Sequence, residues 1–449
     1  MTVNRRSFLD QGIKGGLAVA MGAAGIRAVP RPVPPSDKVV IGVMGVGGRG
    51  TALTGFFADR PDVEIAYVCD VYTKRWAGAV KVVEEKKGKT PHPVGDFRRI
   101  LEDKNVDAMV CATPDHWHCL ASILACQAGK DIYVEKPASH SIWEGRKMVQ
   151  AARQYRRVVQ LGMQNRSASY CASAREAVRS GKLGSVHLVR VYNMLNRDPV
   201  VKVPDSAPPE GFDWDMWLGP GPLRPYNPKY FQRVFWDFNG GLMTDDGVHQ
   251  MDLARAVIGV RFPKTAHHSG GKLFFQDIAE TPDTSIVTYE YDGLQLVFEE
   301  TAWTPYMGKI PPNVRESTTQ FPDWYPFIGT RIEIHGRDGM MILGRHGGGW
   351  QLFDRDRQKL ATDKQPFAAV QAAHVGNFIE CIRDRKTPNA DAEEGHVSAA
   401  ICHMANISYR LGNRKLSFDS VQEHFGDDRE ANQYLKRTYR APWVVPEKV

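Results

Sequence analysis

The chain has 449 residues, of which 42% are apolar and 24% charged, and a formal charge of +7. That length holds two or three domains with a full core, and the balance excludes a disordered, collagen-like or wholly membrane-embedded chain. Of the surplus charge, +4 belongs to residues 1–35 (Arg5, Arg6, Lys14, Arg27 and Arg31 against Asp10), and no basic block is interleaved with aromatics, which argues against a nucleic-acid binder.

Residues 1–35 read as a targeting segment and linker rather than fold. Asn4-Arg5-Arg6-Ser7-Phe8-Leu9 resembles a twin-arginine signal, S-R-R-x-F-L. The weakly apolar stretch 15–26 is shorter than the ~20 residues of a membrane span, and a Pro-rich linker, 30–35, follows it. The expectation is an exported, periplasmic protein that uses the twin-arginine machinery and has no stable membrane span. That route carries folded proteins, so a cofactor bound in the cytoplasm travels with them. No clean A-x-A cleavage site is visible.

From 36 to 160 strands alternate with helices. Strands are predicted at 39–44, 64–69, 108–112, 132–134 and 158–161, with helices at 119–128 and 143–155 between them. Alternation of this kind predicts a parallel, doubly wound sheet. The first strand runs into Gly45-Val46-Gly47-Gly48-Arg49-Gly50, and Asp70 lies 20 residues past Gly50 at the end of the second strand. Strand, glycines, helix, strand and terminal acid together are the signature of a dinucleotide site. Gly45 permits the tight turn, Gly47 admits the pyrophosphate and Gly50 lets the helix pack on the strand. Asp70 accepts hydrogen bonds from the adenosine ribose, which predicts NAD over NADP, although Lys74 and Arg75 lie close by.

The pattern changes from 161 to 416. A strand at 186–193 precedes a loop-rich stretch, 199–228, that carries Trp214 and Trp217. Strands follow at 285–291, 294–301, 330–335, 340–343 and 350–353, and helices at 374–383 and 396–411. The expected second domain is α+β with a large, mainly antiparallel open sheet, and residues 417–449 form an irregular tail. The seven cysteines lie mostly inside apolar strand or helix patterns without a CxxC, and are read as buried thiols.

Three constellations carry chemistry. In Ile132-Tyr133-Val134-Glu135-Lys136-Pro137, a lysine stands at the carboxyl end of a strand, the edge where open α/β sheets bind ligands. Lys136 there can orient a hydroxyl and stabilise alkoxide charge, and the following proline admits a cis bond. In Gly241-Leu242-Met243-Thr244-Asp245-Asp246-Gly247-Val248-His249-Gln250-Met251-Asp252, a helix would put Asp245, His249 and Asp252 on one face. A carboxylate beside His249 would fix its tautomer and raise its basicity, making it an acid/base for a carbinol; either Asp245 or Asp246 can fill that place. The third, Thr113-Pro114-Asp115-His116-Trp117-His118, is a poor metal ligand set. It reads as a turn and helix cap lining the nicotinamide half of the pocket, and no metal is expected.

In this order the motifs GVMGVGGRG, ATPDHWH, EKP and GGLMTDDGVHQMD resemble the Gfo/Idh/MocA oxidoreductase family, over about residues 38 to 412. The resemblance implies a Rossmann domain, a second domain with an open sheet, homo-oligomers formed sheet to sheet, NAD or NADP, and sugar or cyclitol substrates. By position it implies that Lys136 is the catalytic lysine and that Asp245 and His249 are the Asp-x-x-x-His pair. It adds Asp252, Asn165 and Arg166 as substrate contacts. Gly45, Gly47, Gly48, Arg49, Gly50, Asp70, Thr113, Pro114, His118, Glu135 and Gln164 become cofactor contacts. Segments 212–220, 224–228 and 439–443 resemble an exported branch of the family. The chain departs from the family pattern at Asn239, where a glycine is usual, and at Trp236-Asp237, where Trp-Arg is usual.

The leading expectation is a pyranose or cyclitol dehydrogenase with tightly bound NAD. The rivals are a glycosidase or lyase that oxidises its substrate transiently with no net redox, an oxidoreductase that recycles its cofactor between two sugars, and a non-catalytic nucleotide-binding protein.

Overall fold

The computed structural model describes residues 38–449. The twin-arginine-like segment lies outside the described residues.

Six strands form the first sheet: β1 (Val39–Met44), β2 (Val63–Cys69), β3 (His92–Val94), β4 (Ala108–Cys111), β5 (Asp131–Val134) and β6 (Val159–Leu161). All pair in parallel, in the order β3-β2-β1-β4-β5-β6. β1, β4 and β5 are almost wholly buried, as expected of strands covered by helices on both faces. The order reverses between β1 and β4, and a ligand crevice opens at such a switch point, outside the carboxyl ends of the strands. Gly45, Asp70, Thr113 and Lys136 all follow those ends.

Nine strands form the second sheet: β7 (Val186–Met194), β8 (Thr265–Gly271), β9 (Thr284–Tyr291), β10 (Leu294–Thr301), β11 (Arg331–Gly336), β12 (Gly339–Gly344), β13 (Gly349–Asp354), β14 (Lys359–Asp363) and β15 (Leu416–Ser417). Their order is β14-β13-β12-β11-β7-β10-β9-β8-β15, antiparallel except between β7 and β10. Side chains alternate between its faces. Val189, Val191, Val287, Tyr289, Leu296, Phe298, Ile332 and Ile334 are buried inward, against a layer that includes the helices Val248–Ile258 and Ala392–Arg410. The outer face carries Arg190, Glu299, Arg331 and Glu333, and Ile310, Val314, Trp324 and Ile328 of the β10–β11 connection cover Ile342 on it.

The two halves share one core. Helix Ala392–Arg410 packs on helix Ile142–Gln154 of the first half and on β8 of the second. Helix Phe367–Asp384 returns to the parallel sheet, where Val375, Phe378 and Ile379 join Ile41, Val43 and Tyr133. The tail is irregular apart from the short helix Arg429–Gln433, yet it is anchored. Arg437 Nε donates to the fully buried Glu144 at 2.6 Å, and Trp443 packs on Trp117 and Phe97. All seven cysteines are free and buried.

Candidate active site

Helix Gly48–Ala58 starts at Gly47 with no side chain capping it, so its first N–H groups are left for a ligand and suit a phosphate. Gly45 has φ +83°, a left-handed turn that glycine tolerates. A β-carbon at Gly50 would run into the Gly45 carbonyl oxygen, whereas nothing lies within 4 Å of one at Gly48. The loop is thus tight where it touches the sheet and open where it faces the crevice.

That crevice is a cavity of about 250 Å³ lined by Gly45, Gly47, Gly48, Arg49, Asp70, Thr113 and Pro114 among others. Asp70 sits at its edge, 4% exposed, and accepts from Val46 N (3.0 Å) and Tyr72 N (2.9 Å). Burial pushes its carboxyl up, against Arg75, whose Nη1 lies 3.7 Å away. The glycine turn, free helix N-terminus and carboxylate fit a dinucleotide. The far wall comes from residues 195–240: Met216, Trp217, Tyr230, Phe231, Arg233, Phe238 and Asn239. This excursion rests on the end of β2 through a bridge between Tyr72 and Phe212 and the bond Thr73 N to Gly211 O (3.0 Å).

The turn after β5 adjoins this groove. Lys136-Pro137 is a cis peptide. His118 fastens the turn to the β4 loop, its Nδ1 2.7 Å from Pro137 O and its Nε2 2.9 Å from Thr113 O. Glu135 accepts from Arg49 Nε at 2.8 Å; burial opposes its ionisation, but Arg49 and Lys136 hold its carboxyl below the usual range. Gln164 Nε2 donates to Tyr133 Oη at 3.1 Å behind them.

Lys136 Nζ donates to Asp245 Oδ1 at 2.7 Å and to the Asp245 carbonyl. Arg233, which lines the groove, also contacts Asp245, so groove and cluster are continuous. Asp246 accepts from Arg345 Nη2 (2.7 Å) and Lys309 Nζ (3.1 Å). Burial pushes both aspartates up, and their cations overrule it and hold both below the usual range.

The expected carboxylate–His249 contact is not formed, and neither aspartate orients the ring. Met243–Gly247 is a π-helical turn, and the α-helix begins only at Val248. The wider turn takes Asp245 out of the four-residue stack with His249. His249 instead meets His346 edge to face, ring centroids 4.7 Å apart at 75°, and its Nδ1 has no partner. Its basicity is lowered rather than raised: burial, then Lys136 and Arg345, push its pKa well below the usual value. His346 has φ +50°, held by its N–H to Asn165 Oδ1 (2.7 Å) and its carbonyl to Arg315 Nε (3.0 Å).

The three residues expected at the substrate make the following contacts within the protein. Asn165 serves the His346 backbone and Tyr170. Arg166 Nε and Asp252 Oδ1 pair at 2.8 Å, both buried, with Glu394, Arg255 and Ser398 around them. Sequence reasoning missed Arg233, Lys309, Arg345 and His346, which approach from other elements. The one signal for Arg233 was the length of the loop that holds it. Among the described residues no cluster of His, Cys, Asp or Glu could hold a metal ion, and no helix is long and apolar enough to cross a membrane.

Fold and crevice together define a dinucleotide-binding oxidoreductase. Residues 39–163 match the family described as "Oxidoreductase family, NAD-binding Rossmann fold", and residues 197–266 and 329–445 match its "C-terminal alpha/beta domain". The chain belongs to the Gfo/Idh/MocA oxidoreductase family, and its first half is an NAD-binding domain. It is 25% identical to myo-inositol 2-dehydrogenase of Thermotoga maritima over 374 residues, 82% of this chain and 95% of that relative. It is 33% identical to a glycosyl hydrolase family 109 protein of Solibacter usitatus over 143 residues, 30% of this chain and 32% of that relative. The solved levoglucosan dehydrogenase, a complex with NADH and levoglucosan, superposes with a TM-score of 0.64 at 17% identity, covering 85% of this chain and 99% of that one. At that identity the likeness is one of fold.

Proposed function

We propose that the protein oxidises or reduces a carbinol carbon of a sugar or cyclitol, with NAD as cofactor. The observation that carries this reading is the placement of Lys136: at the carboxyl edge of the NAD-binding sheet, ion-paired to Asp245 in the turn that leads to His249. When bound, the nicotinamide supplies the hydride acceptor or donor. Lys136 holds the hydroxyl oxygen and stabilises negative charge on it. His249 is kept neutral by burial and neighbouring cations, the state in which a base takes a proton. Asp245 keeps the ammonium of Lys136 in place. Asp70 favours NAD over NADP, because a 2′-phosphate would meet its carboxylate. The inositol dehydrogenase relative, matched over nearly its whole length, supports the substrate class.

A second reading is redox-neutral cleavage of a glycoside, with NAD retained rather than consumed. The family 109 relative favours it, as does the excursion 195–240, which walls the groove with Trp217, Tyr230 and Phe231. The sequence at Asn4–Leu9 supports export by the twin-arginine route, where a retained cofactor is an advantage. Self-association across the outer sheet face is part of the proposal. Phe274 stacks there on Trp303 at 5.3 Å, with Ile286, Tyr306, Tyr325 and Phe327 exposed.

The test is to identify the nucleotide that co-purifies and then to screen sugars, cyclitols and 4-nitrophenyl glycosides by nicotinamide absorbance and nitrophenol release. Stoichiometric NADH with a free sugar supports the first reading. Nitrophenol without net NADH supports the second. Activity unchanged by Lys136→Ala overturns the site.

A further inference from the structure

We propose that the substrate carries an anionic group: the cleft takes a sugar bearing a carboxylate, sulfate or phosphate, received by Arg233 and Lys309. This rests on reading the cleft as a carbohydrate site.

The argument is one of charge and exposure. Two adjacent carboxylates, Asp245 and Asp246, each receive two cations: Lys136 and Arg233 on the first, Arg345 and Lys309 on the second. Four positive charges therefore stand on two negative ones. The neighbouring acids reduce this surplus without cancelling it. Glu135 is shared by Arg49 and Lys136, and the buried Asp115 faces Lys136 and Arg233, so with Arg49 counted five cations stand on four carboxylates. Glu300 lies on β10 beside the pair, accepts from Asn193 Nδ2 at 2.9 Å, and is pushed up to about 8 by burial. His249 and His346 are neutral.

The four cations divide into two kinds. The side chains of Lys136 and Arg345 are only 12% and 5% exposed and committed to their aspartates. Those of Arg233 and Lys309 are 53% and 52% exposed. They come from separate excursions, 195–240 and the β10–β11 connection, and so bracket the aspartate pair. A half-exposed ion pair contributes little by itself, so each can share or exchange its aspartate for an incoming anion at small cost, and each keeps unused N–H donors. A neutral sugar leaves the surplus uncompensated; an anionic one neutralises it. The diphosphate of NAD does not serve, because its place is the glycine turn at Gly47 and Gly48.

The test is calorimetric titration of the NAD-loaded protein with D-glucose, D-glucuronate, D-glucose 6-sulfate and D-glucose 6-phosphate, and with the galactose set, at low and high salt. The expected result is one anionic sugar binding about tenfold tighter than its neutral parent, an advantage eroded by salt. It should shrink about fivefold in Arg233→Gln and in Lys309→Gln, the scale of a half-exposed charge contact. Which anion binds best identifies its chemistry. Neutral parents that bind as tightly as every derivative overturn the inference: the surplus charge then serves only the reacting oxygen, and the proposed function stands. An advantage that persists in both variants also overturns it. Failure of every sugar to bind overturns both.

Discussion

Lys136 Nζ meets Asp245 Oδ1 at 2.7 Å, and this pair ties the carboxyl end of β5 to the π-helical turn in front of His249. Each side chain comes from a different half of the molecule, so the site exists only when the halves are docked. Asp245→Asn keeps the shape and removes the charge that positions the ammonium. The expected result is a fall in kcat of about 10²- to 10³-fold with NAD affinity retained, the scale of losing a preorganised charge contact. Single-turnover reduction of bound nicotinamide measures it, and an unchanged rate refutes the role of the pair.

On the proposed reading, cofactor choice turns on Asp70. Its carboxylate is buried, bonded to two backbone N–H groups and 3.7 Å from Arg75 Nη1. Asp70→Ser removes the charge that repels a 2′-phosphate and frees Arg75 to receive one. Fluorescence titration should show NAD affinity down by about tenfold and NADP affinity raised relative to it. A variant that still prefers NAD as strongly would move the selection elsewhere.

The legible parts are those in which chemistry is local. Buried runs such as β1 and alternating ones such as β9 and β10 read directly as strands, and the glycine turn with Asp70 reads as a cofactor site. β3, β8, β14 and β15 were missed: β3 holds a proline, β8 carries His267, His268 and two glycines, and β15 is two residues long. Helix Phe367–Asp384 was expected to start at 374, because nothing local marks the turn that packs on the other half. In the site, Lys136 was legible from its strand end. The partners of His249 were not, since a π-turn replaces the α-helical spacing, and Arg233, Lys309 and His346 arrive from 16 to 97 residues away by folding alone.

His249 predicts a pH profile. Burial and its cationic neighbours push its pKa well below the usual value, so the neutral base persists at pH values where an ordinary histidine, near 6.5, is protonated. The rate of carbinol oxidation should stay flat as pH falls through about 6.5. Arg345→Met, which removes one of those charges and leaves Lys136 in place, should move the acid limb to higher pH. A wild-type limb at 6.5 would contradict the placement of the ring.

Glu300 predicts a stability profile. Burial raises its pKa to about 8 in the folded chain, against about 4.3 when unfolded. Between those values the unfolded chain has released a proton that the folded chain still holds, so stability is full below about 4.3 and falls as pH rises towards 8, by up to about 1.4 kcal/mol per unit. Glu300→Gln keeps the bond to Asn193 possible and cannot ionise. Chemical denaturation at pH 5 and pH 8 should show the variant losing less stability over that interval than the wild type, and equal losses would place the proton elsewhere.

Trp443 lies near the C-terminus, yet it backs the wall of the cofactor groove. Its ring packs 5.0 Å from that of Trp117 and 6.3 Å from that of Phe97, and both of these line the groove. Arg437 and Arg440 hold the segment in place through Glu144 and Asp215. At 7% exposure, Trp443→Ala should cost about 3–5 kcal/mol of stability and let Phe97 and Trp117 relax away from the groove. NAD binding should therefore weaken although Trp443 does not line the groove. Trp443→Phe, which keeps a ring against both neighbours, should restore most of the affinity. Loss of stability in Trp443→Ala with NAD affinity intact would show that the tail braces the fold without shaping the groove.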